Sequence, residues 1–178
     1  FSNVIVIFFA IIDNLSALEV LWIYWIQSVI IGVFNFVKII SLKEFSTKDF
    51  KSGGKQVQPT NATKISTGIF FLFHYGFFHF VYAMFLGGFS EIGKTSTSGS
   101  IHNYLWFTSL VFFLSYLIEY VQSLRNPPEE IPNLGAIMFA PYLRIIPMHI
   151  TIILGGFIGI IGSFFNVDIN YSIIILFV

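Results

Sequence analysis

Four long apolar stretches constrain this chain more than any other feature of its sequence. A bilayer core of roughly 30 Å requires about 20 apolar residues in a helix. The stretches that meet this length run over residues 18–40, 65–89, 104–124 and 143–165. Two shorter apolar segments, 1–12 and 169–178, lie at the ends, and because the first residue is Phe we expect both to be truncated spans. The pattern predicts an all-α fold, a polytopic transmembrane helical bundle of five to six spans in a single integral membrane domain.

The composition supports the same environment and excludes several classes of function. Only 10% of the residues are charged and 56% are hydrophobic, whereas about 25% of an ordinary soluble domain is charged. A soluble monomer is therefore excluded. The formal net charge is zero, so the chain has no overall positive field to bind nucleic acid. The absence of cysteine excludes disulfides, thiolate nucleophiles and zinc ribbons.

Basic residues are distributed unevenly between the predicted loops. With the N-terminus inside, Lys94 is the one basic residue of the outer loops, while eight fall at inner positions: Lys38, Lys43, Lys48, Lys51, Lys55, Lys64, Arg125 and Arg144. Because Lys and Arg favour cytoplasmic loops, the basic loop 41–64 is predicted to face the cytoplasm. Its lysines either serve only to set the topology or also contact anionic lipid.

Polar residues at hydrocarbon depth are the candidate functional residues, because they must be paired or hydrated there. At 1.5 Å per helical residue, His74 lies about 13 Å, His149 about 9 Å and Glu119 about 8 Å from the inner ends of their spans. We therefore predict that these three side chains meet in the inner half of the bundle, with Arg144 at its mouth. Gln27 is the fifth member of this intramembrane polar cluster, at about 20 Å.

Three interpretations of the cluster remain open. Two histidines and a carboxylate suit a divalent transition metal, with His74 and His149 as the ligands, or a haem. They also suit a proton relay. In the third interpretation each histidine makes one interhelical hydrogen bond, worth roughly 0.6 kcal/mol. The spacing of His74 and His79 weakens the first two interpretations, because side chains five residues apart cannot bind one ion from the same straight helix. The sequence requires no cofactor, and a metal or haem stays possible.

Small residues in the fifth predicted span indicate close helix packing. Gly155, Gly159 and Ser163 follow one another at intervals of four residues, a spacing that lets a neighbouring helix approach the backbone. The neighbour is another helix of this bundle or a second subunit. Conversely, neither Gly-x-Ser-x-Gly nor a Gly-x-x-x-x-Gly-Lys phosphate loop occurs, so no familiar catalytic motif is found.

Three stretches of the sequence resemble the motifs of one family of small polytopic proteins. They are Tyr24-Trp-Ile-Gln-Ser-Val-Ile-Ile-Gly32 through Lys38, Phe73-His-Tyr-Gly-Phe-Phe78, and Pro141-Tyr-Leu-Arg-Ile-Ile-Pro-Met-His-Ile-Thr-Ile-Ile-Leu-Gly-Gly156. On these residues the chain resembles domain of unknown function 6498, found in bacteria and archaea. The resemblance implies a prokaryotic plasma membrane location. It implies no activity.

The same resemblance marks three motif positions and two departures. His74, Arg144 and His149 occupy matching positions of the family motifs. The family pattern implies Glu at the position of Gln27 and His near Tyr116, and this chain has neither. A shared ionisable site is therefore in doubt here.

We carry three hypotheses for function. The first is a non-catalytic accessory or assembly component of the membrane, partnered by another membrane protein or by a second copy. The second is a metal- or haem-binding membrane enzyme that uses the intramembrane histidines. The third is a small-solute or ion transporter, although no long span carries the paired Gly/Pro breaks typical of that class.

Overall fold

A computed structural model describes residues 17–92, 100–126, 130–143, 145–146, 149–150 and 153. Its four helices are α1 (Ala17–Ser41), α2 (Asn61–Ile92), α3 (Ser100–Arg125) and α4 (Leu134–Leu143). Helical conformation continues after α4 at the described residues 145–146 and 149–150. Two short strands, β1 (Lys51–Ser52) and β2 (Lys55–Gln56), form an antiparallel hairpin between α1 and α2.

Three of the helices are long and apolar enough to cross a membrane. The qualifying segments are Leu18–Ser41, Asn61–Gly88 and Trp106–Arg125, which correspond to the predicted spans 18–40, 65–89 and 104–124. The all-helical class is thus confirmed, with three candidate spans rather than five or six among the described residues. The predicted spans 1–12 and 169–178, and most of 143–165, lie outside those residues.

The helix after the proline-rich segment begins earlier than the sequence predicted. The fifth span was expected from residue 143, with Pro141 in the preceding loop, but α4 already begins at Leu134. The Asn133 side chain explains this start, because its Oδ1 accepts a hydrogen bond of 2.9 Å from the backbone N–H of Ala136. Such a cap satisfies a donor that the first helical turn leaves free. Pro141 lies within the helix, where its ring is buried.

Helix α1 packs against both α2 and α3. It runs antiparallel to α2, because Trp25 near its start contacts His79 whereas Ile40 near its end lies beside Gly68. On its other side it runs parallel to α3. There the ring of Phe34 lies 5.5 Å from that of Phe113, and Ser41 is hydrogen-bonded to Tyr120.

Helix α4 and the helical residues after it run along α2 in the same direction. Tyr142 contacts His74, and seven residues later His149 contacts Tyr82. Both chain segments therefore rise from the same side of the bundle.

The segment joining α1 to α2 folds onto the beginning of α4. We call residues 42–60 the cap. The N–H of Ser46 donates to the carbonyl oxygen of Pro132, and the N–H of Leu134 donates back to that of Ser46, each at 2.9 Å. The connection from α3 to α4 and the cap thus lie on one side of the bundle.

The hairpin inside the cap turns at two glycines. Gly53 and Gly54 have φ angles of 57° and 78°. Residues with a Cβ rarely adopt this backbone conformation. Thr47 fixes the base of the hairpin by donating from Oγ1 to the carbonyl oxygen of Val57 at 2.7 Å. The predicted basic loop is therefore a folded element.

The main hydrophobic core lies between α1, α2 and α4, directly under the cap. Its fully buried side chains include Ile39, Phe71 and Leu134. Phe45 and Phe50 of the cap pack against it from above. The cap is thus anchored by apolar contacts as well as by backbone hydrogen bonds.

Candidate functional site

His74, the central residue of the predicted cluster, lies on α2 and pairs with a tyrosine. Its Nδ1 is 2.8 Å from the Tyr142 hydroxyl oxygen. The imidazole stacks on Phe70, with ring centroids 5.1 Å apart, and meets Phe78 edge to face at 5.0 Å. Even so, the side chain is exposed. One ring nitrogen of His74 is therefore used in joining α2 to α4.

His149 makes a corresponding pair further along the same two chain segments. Its Nδ1 is hydrogen-bonded to the hydroxyl of Tyr82, which is buried on α2. The His149 ring also meets Phe78 at 6.2 Å. Phe78 thus lies between the two histidine–tyrosine pairs.

The structure does not bring His74 and His149 into a single site. His149 pairs at the level of Tyr82, which is eight residues beyond His74, or about 12 Å along a helix. A transition metal requires its ligand nitrogens about 2 Å from one centre. Within the described ranges, no group of three or more His, Cys, Asp or Glu side chains is arranged to hold a metal ion. Metal binding by these histidines stays a prediction.

The other members of the predicted cluster are dispersed or lie outside the described residues. Glu119 is exposed on α3, and the helix that α3 packs against is α1 rather than the one carrying His74. Gln27 is buried on α1, with 3% of its surface exposed. Those that fall outside the described residues are Arg144 and the packing residues Gly155, Gly159 and Ser163.

The sequence interpretation missed a polar cluster between α1 and α2. Tyr75 lies at its centre. Its hydroxyl donates to the backbone carbonyl of Ser28 and shares a second hydrogen bond with the Ser28 hydroxyl, both at 2.9 Å. One turn away, the indole N–H of Trp25 donates to the carbonyl oxygen of His79 at 2.8 Å. These bonds join the two helices near the middle of their length.

His79 is more deeply buried than the two histidines singled out from the sequence. Its side chain is 4% exposed and its ring stacks on Tyr75 at 4.3 Å. Nδ1 must donate its proton, because its partner at 2.9 Å is the carbonyl oxygen of Tyr75. In the neutral ring Nε2 then carries the lone pair, and it has no hydrogen-bond partner within the described part of the chain.

A spacing signal in the sequence points to this buried face. Phe71, Tyr75, His79 and Tyr82 follow one another at intervals of four, four and three residues, which places them on one side of a helix. All four are buried. Opposite them, Gly32 on α1 makes room for the Tyr75 ring, because a Cβ there would lie 2.8 Å from Tyr75 Cδ1.

The combined geometry is suited to holding helices together. Each of the three histidines on these faces uses Nδ1 for a hydrogen bond to a tyrosine hydroxyl or to the backbone. Hydrogen bonds of this kind lower the cost of polar groups in an apolar environment.

Comparisons with known proteins identify the family without adding an activity. A search of curated proteins gave no match, and a search of solved structures gave none either. The sequence model of one family, described as a family of unknown function (DUF6498), matches residues 1–178. The chain therefore belongs to that family.

Proposed function

We propose that the chain is a multi-pass integral membrane protein that acts as a non-catalytic accessory or assembly component. The observation that carries this proposal is the exposure of α3, in which 6% of the most apolar 18-residue window is buried. Soluble proteins rarely leave contiguous apolar patches larger than a few hundred Å² uncovered. Lipid, a partner helix or one of the predicted spans outside the described residues is the natural covering for such a surface.

Helix α3 differs from its neighbours in a way that favours a partner. The corresponding windows of α1 and α2 are each 28% buried, because these helices pack on each other and on α4. The outward side chains of α3 include Leu110, Leu114 and Ile118, spaced four residues apart. That spacing forms an apolar ridge suited to docking against another transmembrane helix.

Cross-linking from the ridge tests the accessory role. With a photoreactive amino acid at Leu114 we expect one discrete product between this chain and another membrane protein, or a second copy of itself. The same amino acid at Phe73, which is 74% exposed on α2, is the control for non-specific capture. Lipid adducts alone at Leu114, or the same products from both positions, would contradict a partner on α3.

The proposed topology places five to six spans in a prokaryotic plasma membrane, with the cap in the cytoplasm. Its support is the bias of basic residues toward the cap side and the contact of Ser46 with Asn133. The chain has no native cysteine, so single cysteines can report on each side. We expect Ser52→Cys and Glu130→Cys to resist a membrane-impermeant maleimide in intact cells, and Ser98→Cys to react.

The labelling pattern tests two proposals separately: which side of the membrane the cap faces, and whether the cap packs on the start of α4. Opposite labelling of the cysteines at positions 52 and 130 would contradict the packing of the cap on the start of α4. Labelling of both in intact cells would instead show that the cap faces outward. Extraction of the whole protein by alkaline carbonate would overturn its integral membrane character.

A non-catalytic role also predicts the metal content of the purified protein. We expect the detergent-purified chain to be colourless and to carry less than stoichiometric transition metal by elemental analysis. His74 and His149 are then replaced together by alanine. A stoichiometric metal or a haem absorption band that disappears in this double variant would favour the metal-dependent enzyme instead.

A further inference from the structure

We propose that the cap binds the anionic headgroups of phospholipids in the leaflet nearest to it. The inference rests on the proposed membrane location and goes beyond it. The first observation is charge. Within residues 42–60 the acidic side chains are Glu44 and Asp49, whereas four lysines are exposed to solvent: Lys43, Lys48, Lys51 and Lys55.

The second observation is the position of these charges. The cap folds back against the end of the bundle, because Phe45 and Phe50 pack on the hydrophobic core. In addition, Lys64 in the first turn of α2 donates from Nζ to the carbonyl oxygen of Leu42, just after the end of α1, at 2.7 Å. The lysines of the cap are therefore held close to the level at which the apolar helices end, where the headgroups lie.

The third observation is that the lysine ammonium groups are not needed to fold the cap. Lys48 takes part through its backbone, with its carbonyl oxygen accepting a hydrogen bond from Asn133 Nδ2 at 2.9 Å. Lys51 and Lys55 belong to the hairpin through backbone pairing. Their ammonium groups make no hydrogen bond or ion pair with the part of the chain that the structure describes, so replacing them should leave the cap intact.

Lipid phosphate is the occupant that this arrangement fits best. A lysine ammonium attracts phosphate as a point charge, and each basic residue near an anionic surface contributes up to about a fivefold gain in association. A topology determinant needs positive charge somewhere in the loop. Setting the topology does not require those charges to be held in place. The hairpin nevertheless holds several of them on one folded element next to the headgroup layer.

The test compares lipid selectivity in the reconstituted full chain. Spin-labelled phosphatidylglycerol and phosphatidylcholine are measured in vesicles of the two lipids, with the motionally restricted fraction giving their relative association constant. We expect a several-fold preference for phosphatidylglycerol that falls toward one when Lys48, Lys51 and Lys55 are all replaced by glutamine. The matched control replaces the same three lysines by arginine and should keep the preference.

Each outcome bears on the inference. A preference for phosphatidylglycerol that survives the glutamine substitutions would overturn it, as would equal association of both lipids with the wild-type chain. Loss of the preference in both triple variants would show that the hairpin fold matters rather than its charge, which also contradicts the proposal. Competition by millimolar free phosphate would point to a soluble anion as the ligand. Failure of the chain to enter vesicles would overturn the membrane proposal itself.

Discussion

Replacing Gly32 by alanine is expected to lower the free energy of unfolding by about 3 kcal/mol, the upper end of the range for overpacking a core. The new methyl group would lie 2.8 Å from Tyr75 Cδ1 and closer still to Cε1. The Tyr75 ring cannot easily move away. It is stacked between Phe71 and His79 and held at its hydroxyl by Ser28. Thermal unfolding in detergent measures the loss.

Gly76 is a matched control for this substitution. It lies on α2 next to Tyr75, and a Cβ added there would meet nothing within 4 Å. Gly76→Ala should therefore be neutral, or stabilising by up to about 1 kcal/mol through helix propensity.

A double-mutant cycle shows whether the Tyr75 ring is the cause. Combined with Tyr75→Leu, which removes the ring, Gly32→Ala should cost clearly less than it does alone. If Gly32→Ala lowered the free energy of unfolding equally with and without the Tyr75 ring, the loss would not come from contact with that ring. A Gly76→Ala loss as large as that of Gly32→Ala would lead to the same conclusion.

The long helices could be predicted from the sequence because they depend on the length of apolar runs alone. Leu18–Ser41 and Trp106–Arg125 agree with the predicted spans to within two residues. The start of α4 could not be found in this way. It is set by the Asn133 cap and by pairing with Ser46, which is 87 positions earlier in the chain, and apolar run length does not register a contact of that kind.

The site was harder to predict because the sequence gives the depth of a side chain in the membrane but not the direction in which it points from its helix. His74 and His149 were expected together since both lie in the inner half of their spans. Their neighbours depend on the rotation and relative height of each helix, which hydropathy does not give. Each histidine pairs with its own tyrosine because α2 runs parallel to α4 and the residues after it, with His74 opposite Tyr142 of α4 and His149 opposite Tyr82.

The buried face of α2 was accessible to sequence reasoning in part. Phe71, Tyr75, His79 and Tyr82 share one helix face, and three of them carry polar atoms that a membrane span turns away from lipid. Apolar residues alone do not distinguish the faces, because Phe73, Phe77 and Phe80 of α2 are exposed. Gly32, which contacts the Tyr75 ring from α1, could not be identified from the sequence. Its function is visible only when the Tyr75 ring is placed against the α1 backbone, because a glycine has no side chain whose chemistry could suggest it.

Replacing Phe71 by alanine is expected to lower the free energy of unfolding by about 3–5 kcal/mol, the usual range for removing a buried phenyl ring. Phe71 is 1% exposed. Its ring stacks on Tyr75 at 4.9 Å and meets Tyr142 edge to face at 5.9 Å. Phe71 therefore packs against Tyr75, which is hydrogen-bonded to α1, and against Tyr142 of α4, which is hydrogen-bonded to His74. The cavity left by its ring would weaken the contacts of α2 with both α1 and α4. Thermal unfolding in detergent, with the extrapolated free energy, measures this effect.

Phe73→Ala is the control that shows whether the loss from Phe71→Ala comes from burial of the ring or from removing any phenyl ring of α2. It lies two residues away on α2 but is 74% exposed, so Phe73→Ala should change the free energy of unfolding by less than about 0.5 kcal/mol. Phe71→Leu, which keeps most of the volume, should cost less than about 1.5 kcal/mol. If Phe73→Ala proved as damaging as Phe71→Ala, the outward face of α2 would have to be a packed interface in the purified protein. The assignment of the core to the α1, α2 and α4 side would then be wrong.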